Sequence, residues 1–459
     1  MSLFTPHEKP LAQQLVHPRD AAPVFLHLLA NQPTKDDALV GFDGGDDHYR
    51  LMNWSLPKKV LTTLLYGFTT CWITFASAIY STAVRQVSRN FRVSWEVSTL
   101  GTSLFVICFA LGPLIFAPLS EVYGRKPAVL TPYFVAAIFP FATRAAKDTQ
   151  TVVTTRFFAG FFGSAPVTTT GGMLGNIWSA EQRGLAIGPT IGPLVGGAFV
   201  ASGPGWRWTG YLTGIVMMLQ LILDVCILDE SYASTLLARK AQLLRYKGGN
   251  WALHAMSSHV LVLSEEWDVS LKELSQKYLI RPFQMLLTPI CFLVSLYASF
   301  VYGLLYANLG GFTIVFEENR GWSPVTANLP FLALLVGILA AAVVNVYNNK
   351  YYFRLFTENG NRAVQEARLP PMMIGGFMFS GGLFFFEWTS SRMASYWPFI
   401  VDIALVGFGF TTIPQAAMDY IVDTLSGTLP VPVAAATFLR SIFACAFPLF
   451  VGPFTAPSG

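Results

Sequence analysis

The string Ala117-Pro-Leu-Ser-Glu-Val-Tyr-Gly-Arg-Lys126 joins two apolar runs, Val97 to Leu119 and Ala128 to Ala146. Each run is close to the roughly 20 mostly apolar residues that a helix needs to cross a bilayer. Between them stand a carboxylate, a glycine and two basic residues, enough for a tight turn and little else. A chain that crosses, turns within this string and crosses back must be helical, because backbone groups in lipid have to be satisfied internally.

Composition extends this reading to the whole chain. Of 459 residues, 53% are hydrophobic and 12% charged. Soluble domains carry about 25% charged residues. A soluble enzyme, a disordered regulator and a disulfide scaffold are therefore excluded as classes. The net charge of +4 is small and scattered and offers no nucleic-acid-binding surface. Cys71, Cys108, Cys226, Cys291 and Cys445 all fall in apolar runs without paired spacing, so they read as small buried hydrophobes. The six histidines lie outside the apolar runs, which removes an intramembrane histidine relay and a catalytic metal site. No G-x-x-x-x-G-K-[ST] string is present, so ATP drive is not expected, and neither is a cofactor.

Eleven candidate spans follow. They are Val60 to Val84, Val97 to Leu119, Ala128 to Ala146, Val152 to Met173, Leu185 to Ala201 and Trp208 to Leu228, then Pro289 to Gly311, Thr326 to Tyr347, Met372 to Thr389, Tyr396 to Tyr420 and Val431 to Gly452. The expected organisation is a cytoplasmic tail over 1–59, a six-helix lobe over 60–228, a central cytoplasmic loop over 229–284 and a second lobe over 285–459. The tail is mostly polar and does not read as a cleavable signal peptide. Within the loop, the segment after Asp268 reads as an amphipathic surface helix. With the N-terminus inside, inner segments hold 20 Lys and Arg residues against 8 on outer segments, which sets the orientation.

The opening string resembles the G-x-L-a-D-R-x-G-R-[KR] loop of the major facilitator superfamily, with Glu121 at the acidic position, Gly124 at the turn, and Arg125 and Lys126 at the basic end. It reads as a cytoplasmic latch, and Glu181 and Arg183 in the next inner loop are its expected partners. Arg156 to Gly160 resembles the family's R-x-x-x-G motif in span four. A charge there is costly, so Arg156 either faces the bundle, where it would tune a nearby acid, or snorkels to the interface. Gly188-Pro-Thr-Ile-Gly-Pro-Leu-Val-Gly-Gly197 resembles the antiporter motif, carried by Gly188, Pro189, Gly192, Pro193, Gly196 and Gly197. Its small residues allow close helix approach. Asp46-Asp47 with Asn53-Trp54, Asp229-Glu-Ser-Tyr232, Tyr297 to Tyr306 and Arg320 to Trp322 resemble the fungal drug:proton antiporter branch. That resemblance implies an all-α polytopic fold, a midplane site between two lobes and export of small organic molecules by proton antiport.

Three features depart from the pattern. Span five is short, the chain ends at Gly459 before a twelfth span, and Gly310 stands where the branch often has an acid. Asp402 and Asp224 are the within-span candidates for the proton site, while Asp419 and Asp423 lie at an inner end. Tyr297, Tyr302, Tyr306, Asn345, Gln415 and Arg440 are the candidate cavity residues, each with simple packing as the alternative. Arg440, mid-span, is expected to face the cavity and meet an anionic group. The expected partners are a small-molecule substrate, protons and the bilayer, for a monomer in the plasma membrane, with the vacuolar membrane as the alternative. The competing readings are a transport-inactive truncated relative, a gene-model error and a membrane sensor that binds without translocating.

Overall fold

The computed structural model describes residues 39–40, 53–177, 206–248, 254–255, 280–314, 329–360, 362–389, 396–424 and 431–455, with a few short stretches between them. Helix α1 (Leu56–Ile79) passes through a 3-10 turn (Tyr80–Ala83) into α2 (Val84–Phe91). Then come α3 (Trp95–Tyr123), α4 (Arg125–Ala145), α5 (Thr149–Ile177) and α6 (Arg207–Ile227). The central segment holds α7 (Ala233–Gly248) and the short α8 (Arg281–Leu286). The second half is built from α9 (Pro289–Ile314), α10 (Phe331–Glu358), α11 (Pro370–Thr389), α12 (Tyr396–Thr424) and α13 (Val431–Thr455). The fold is all-α, as expected. Its one departure among the described residues is a two-residue parallel pair, β1 (Leu39–Val40) with β2 (His254–Ala255), which ties the N-terminal tail to the central loop.

Every expected span outside 178–205 coincides with one of these helices. Span five, with its Gly188 to Gly197 motif, and the latch partners Glu181 and Arg183 lie outside the described residues. So does most of the expected amphipathic segment after Asp268. Among the described residues, seven helices are long and apolar enough to cross a membrane. Helix α10 starts after the expected Thr326 and runs on to Glu358. Pro330 fixes its start, and an Arg354–Glu358 pair at 3.0 Å supports a polar last turn that hydropathy does not register.

The surface matches a lipid solvent. Phe377 is 81% exposed and Phe384 79% exposed, an arrangement that water would penalise and acyl chains do not. Helix α3 packs on α5, α5 on α4, α4 on α6, and α1 on α5 and α6. In the second half α11 packs on α12, α12 on α10, and α9 on α13. The two sets meet where α3 packs against α13 and where α9 meets the 3-10 turn after α1. Close approach inside the first set depends on Gly160, because a Cβ there would collide with the carbonyl oxygen of Phe105.

Candidate functional site

The turn that opened the sequence reading is built around Gly124, whose φ of 91° lies in the region that favours glycine. The turn ends α3 and starts α4, leaving the first amides of α4 without helical acceptors. Glu230, 3% exposed, supplies them. Its carboxylate accepts from the amides of Arg125 at 3.0 Å and Lys126 at 3.3 Å, and from the next two amides of its own segment, Ser231 (2.9 Å) and Tyr232 (3.0 Å). In return, Lys126 Nζ donates to the carbonyls of Leu228 at 2.5 Å and Val225 at 3.4 Å, at the end of α6. The start of α4 is thus capped by a residue just past α6, and the end of α6 by a residue of α4, with charges of the sign that the helix dipoles favour. Arg125 lies 5.4 Å from the Tyr232 ring. The sequence singled out Glu121, Gly124, Arg125 and Lys126 here but assigned Glu230 no part in the latch. The signal was its place in the Asp229-Glu-Ser-Tyr232 string.

Arg156 does not snorkel. It is 7% exposed, and its Nε donates to Gly101 O at 3.1 Å, its Nη1 to Ala76 O at 2.7 Å and its Nη2 to Ser77 O at 3.3 Å. The reason is local. Helix α1 gives way to a 3-10 turn at Tyr80, whose amide reaches Ala78 O, and the broken ladder presents carbonyls to the guanidinium. The rings of Tyr80 and Phe105 flank it at 4.6 and 4.4 Å. Its described partners are carbonyls, so it tunes no acid by direct contact.

Asp224 is fully buried on α6. Gln220 Nε2 donates to its Oδ1 at 2.8 Å, and Thr69 Oγ1 lies 2.6 Å from its Oδ2. Thr69 Oγ1 also lies 2.8 Å from Leu65 O, yet a hydroxyl has one proton to give. With Asp224 ionised, Thr69 donates to the carboxylate. With Asp224 protonated, the acid donates to Thr69, which turns its own proton to Leu65 O. The site accommodates both states without moving a heavy atom. Asp402, on α12, is also buried at 2% exposure.

A third cluster lies where the two helix sets meet. Tyr302 and Tyr306, one turn apart on α9, have ring centroids 5.4 Å apart, and Phe410 of α12 lies 5.4 Å from Tyr302. The Arg440 guanidinium of α13 sits 4.7 Å from the Tyr302 ring, with no carboxylate within ion-pair distance among the described residues. The Tyr306 hydroxyl lies 3.1 Å from Ser77 Oγ of α1, joining the two sets. Tyr297 does not join this cluster. At 100° per residue it points about 140° from Tyr302, and it is 37% exposed with its hydroxyl toward Gly376. Asn345 and Gln415 are half-buried on α10 and α12, with no described contact to the cluster.

Asp423 and Asp419, read from sequence as interface acids, are ion-paired at the end of α12. Arg368, 6% exposed, donates through Nε to Asp423 at 2.8 Å and through Nη1 to Asn349 at 2.8 Å, with Asp419 at 3.9 Å. Its guanidinium lies 3.5 Å from the Tyr352 ring. Sequence reasoning passed over Arg368, whose place in a short polar loop carries no motif.

The sequence profile of the Major Facilitator Superfamily matches residues 66–448. "Efflux pump bik6" of Gibberella fujikuroi is 52% identical over 425 residues, covering 90% of this chain and 86% of the relative. "Major facilitator superfamily multidrug transporter FLU1" of Candida albicans is 36% identical, covering 91% and 69%. "Citrinin biosynthesis cluster MFS transporter mrr1" of Monascus ruber is 37% identical, covering 91% and 85%. Among solved structures, an inward-facing, unoccupied bacterial homologue of the human lysosomal transporter Spinster superposes with a TM-score of 0.57 at 13% identity, covering 86% of this chain and 82% of that one. At that identity the likeness is one of fold.

Proposed function

The chain belongs to the Major Facilitator Superfamily, and on that premise we propose that it exports small organic molecules, drugs or secondary metabolites, in exchange for protons. The observation that carries this reading is the Tyr302–Tyr306–Arg440 cluster at the junction of the two helix sets. An aromatic wall with one half-buried guanidinium suits a planar, partly anionic organic molecule better than a sugar, which would need more hydroxyl partners. The named efflux and multidrug relatives support the direction of transport.

Two rigid halves, 60–228 and 285–459, rock about this cluster, and the protein acts as a monomer in the plasma membrane. Asp224 is the proton carrier. Its Thr69 partner switches donor direction with protonation, which replaces the acid that Gly310 does not supply. The turn at Gly124 and its Glu230 cap form the cytoplasmic latch, to which Glu181 and Arg183 contribute. The resemblance of Gly188 to Gly197 to the antiporter motif supports exchange rather than uptake.

The test is drug accumulation in yeast lacking its own efflux pumps. Expression of this chain lowers accumulation of planar aromatic acids, Arg440→Gln abolishes the effect, and an imposed proton gradient drives it in proteoliposomes. Unchanged accumulation over a broad compound panel, with the protein correctly inserted, overturns the proposal.

A further inference from the structure

Three arginines surround one cavity within the first helix set, away from the junction just described. Arg144 at the end of α4, Arg156 on α5 and Arg207 at the start of α6 line it together with Trp206, Thr143 and Thr213. The cavity encloses about 20 Å³, room for one species of about the size of water.

The donors there outnumber the acceptors. Arg156 spends three nitrogens on the carbonyls of Gly101, Ala76 and Ser77. Arg207 donates to Arg144 O at 3.3 Å and to Ala146 O at 3.4 Å. Arg144 lies 3.9 Å from the Tyr211 ring, and its buried Nε has no acceptor. Trp206 is 3% exposed, and its indole N–H has none either. The Thr143 and Thr213 hydroxyls already donate, to Phe139 O and Thr209 O, each within 2.9 Å.

Among the described residues, no carboxylate pairs with these arginines. Neither Glu96 nor Asp148 lines the cavity, and neither pairs with these arginines among the described residues. Glu96 stands in the first turn of α3, and Asp148 just precedes α5, where it accepts from the amide of Thr151 at 2.6 Å. Carbonyls and aromatic faces solvate a guanidinium but leave its charge in place, which is expensive for the buried Arg156 and adds to the field of the half-buried Arg144 and Arg207. A water molecule would accept from the orphaned N–H groups without neutralising anything.

The geometry points to a single monatomic anion of about chloride's size, held by Arg144 Nε, the Trp206 indole N–H and the field of Arg156 and Arg207. Such an ion joins α4 and α6 to α1 at the end of the molecule where α1 breaks. It differs from the substrate site in place and in capacity, since the cavity is too small for an organic acid.

The full chain, purified in detergent, is unfolded by heat in sodium chloride, bromide or gluconate at constant ionic strength. Chloride and bromide raise the midpoint saturably by about 2–3 °C over gluconate when the ion is near a hundred times its dissociation constant. Arg144→Gln and Trp206→Phe each weaken the apparent affinity about tenfold. Should either variant fail to fold, the unaltered protein still gives an answer, because bromide quenches part of its tryptophan fluorescence saturably and chloride reverses it. Equal midpoints in chloride and gluconate, purely linear quenching, or a halide response unchanged in both folded variants overturns the proposal and leaves a water-filled cavity. None of these readouts depends on transport.

Discussion

At Arg156 the cost of burying a cation is offset by three backbone carbonyls on two helices rather than by a carboxylate. Only a planar fork reaches all three at once, so lysine is no conservative replacement. Arg156→Lys is expected to lose about 2 kcal/mol, through carbonyls left without a donor, seen as a lower thermal midpoint in detergent at an unchanged helical signal. At Asp224 the expectation concerns coupling rather than stability. Asp224→Asn keeps a donor toward Thr69 and an acceptor toward Gln220, so the fold survives. Proton-driven uptake into inverted vesicles is then lost, while downhill exchange of substrate persists. If the asparagine variant still concentrates substrate against its gradient, the proton site lies elsewhere.

Two junctions join elements through their ends. Helices α4 and α6 exchange caps through Glu230 and Lys126, and this depends on the left-handed turn at Gly124. Glu230→Ala leaves buried amides without acceptors and is expected to cost about 2–3 kcal/mol. Glu230→Gln, which keeps an acceptor but loses the charge, costs less, and the two are compared by thermal midpoint and by surface expression. At the other half's corresponding corner, Arg368 ties the loop after α10 to the end of α12 through Asp423. A double-mutant cycle of Arg368→Ala with Asp423→Ala is expected to show a coupling of about 1–3 kcal/mol. Coupling indistinguishable from zero would reduce the pair to a surface contact.

For the whole molecule, the described ties between the two helix sets gather where α1 ends. There the Ser77–Tyr306 hydrogen bond ties α1 to α9, and α3 packs on α13. The rocking proposed above would open this end only by breaking that hydrogen bond. Tyr306→Phe removes about 1 kcal/mol from the closed arrangement, close to a fivefold shift in population. A cysteine placed at Ser81, which lines the crevice beside Tyr306, reports it. Labelling of Ser81→Cys by a polar thiol reagent, read against the background of the native cysteines, rises several-fold when Tyr306→Phe is added. Equal labelling in both backgrounds would mean that the bond does not hold the closed state.

Hydropathy alone located the described membrane-length helices, because a bilayer demands long apolar segments whatever their neighbours are. The Ala117 to Lys126 string marked the turn and its charges, since a glycine at positive φ between two spans is a local requirement. Local pattern also placed Tyr302 and Tyr306 on one face of α9. What faces what was not legible. Glu230 as the cap on Gly124's turn, the carbonyls around Arg156, the Arg368–Asp423 pair and the convergence of Arg144 and Arg207 all join residues distant in sequence. In a membrane the surface and the core are both apolar, so composition cannot say which side of a helix is buried. Only the packing of one helix on another decides where the few charges go, and with them the sites where this protein acts.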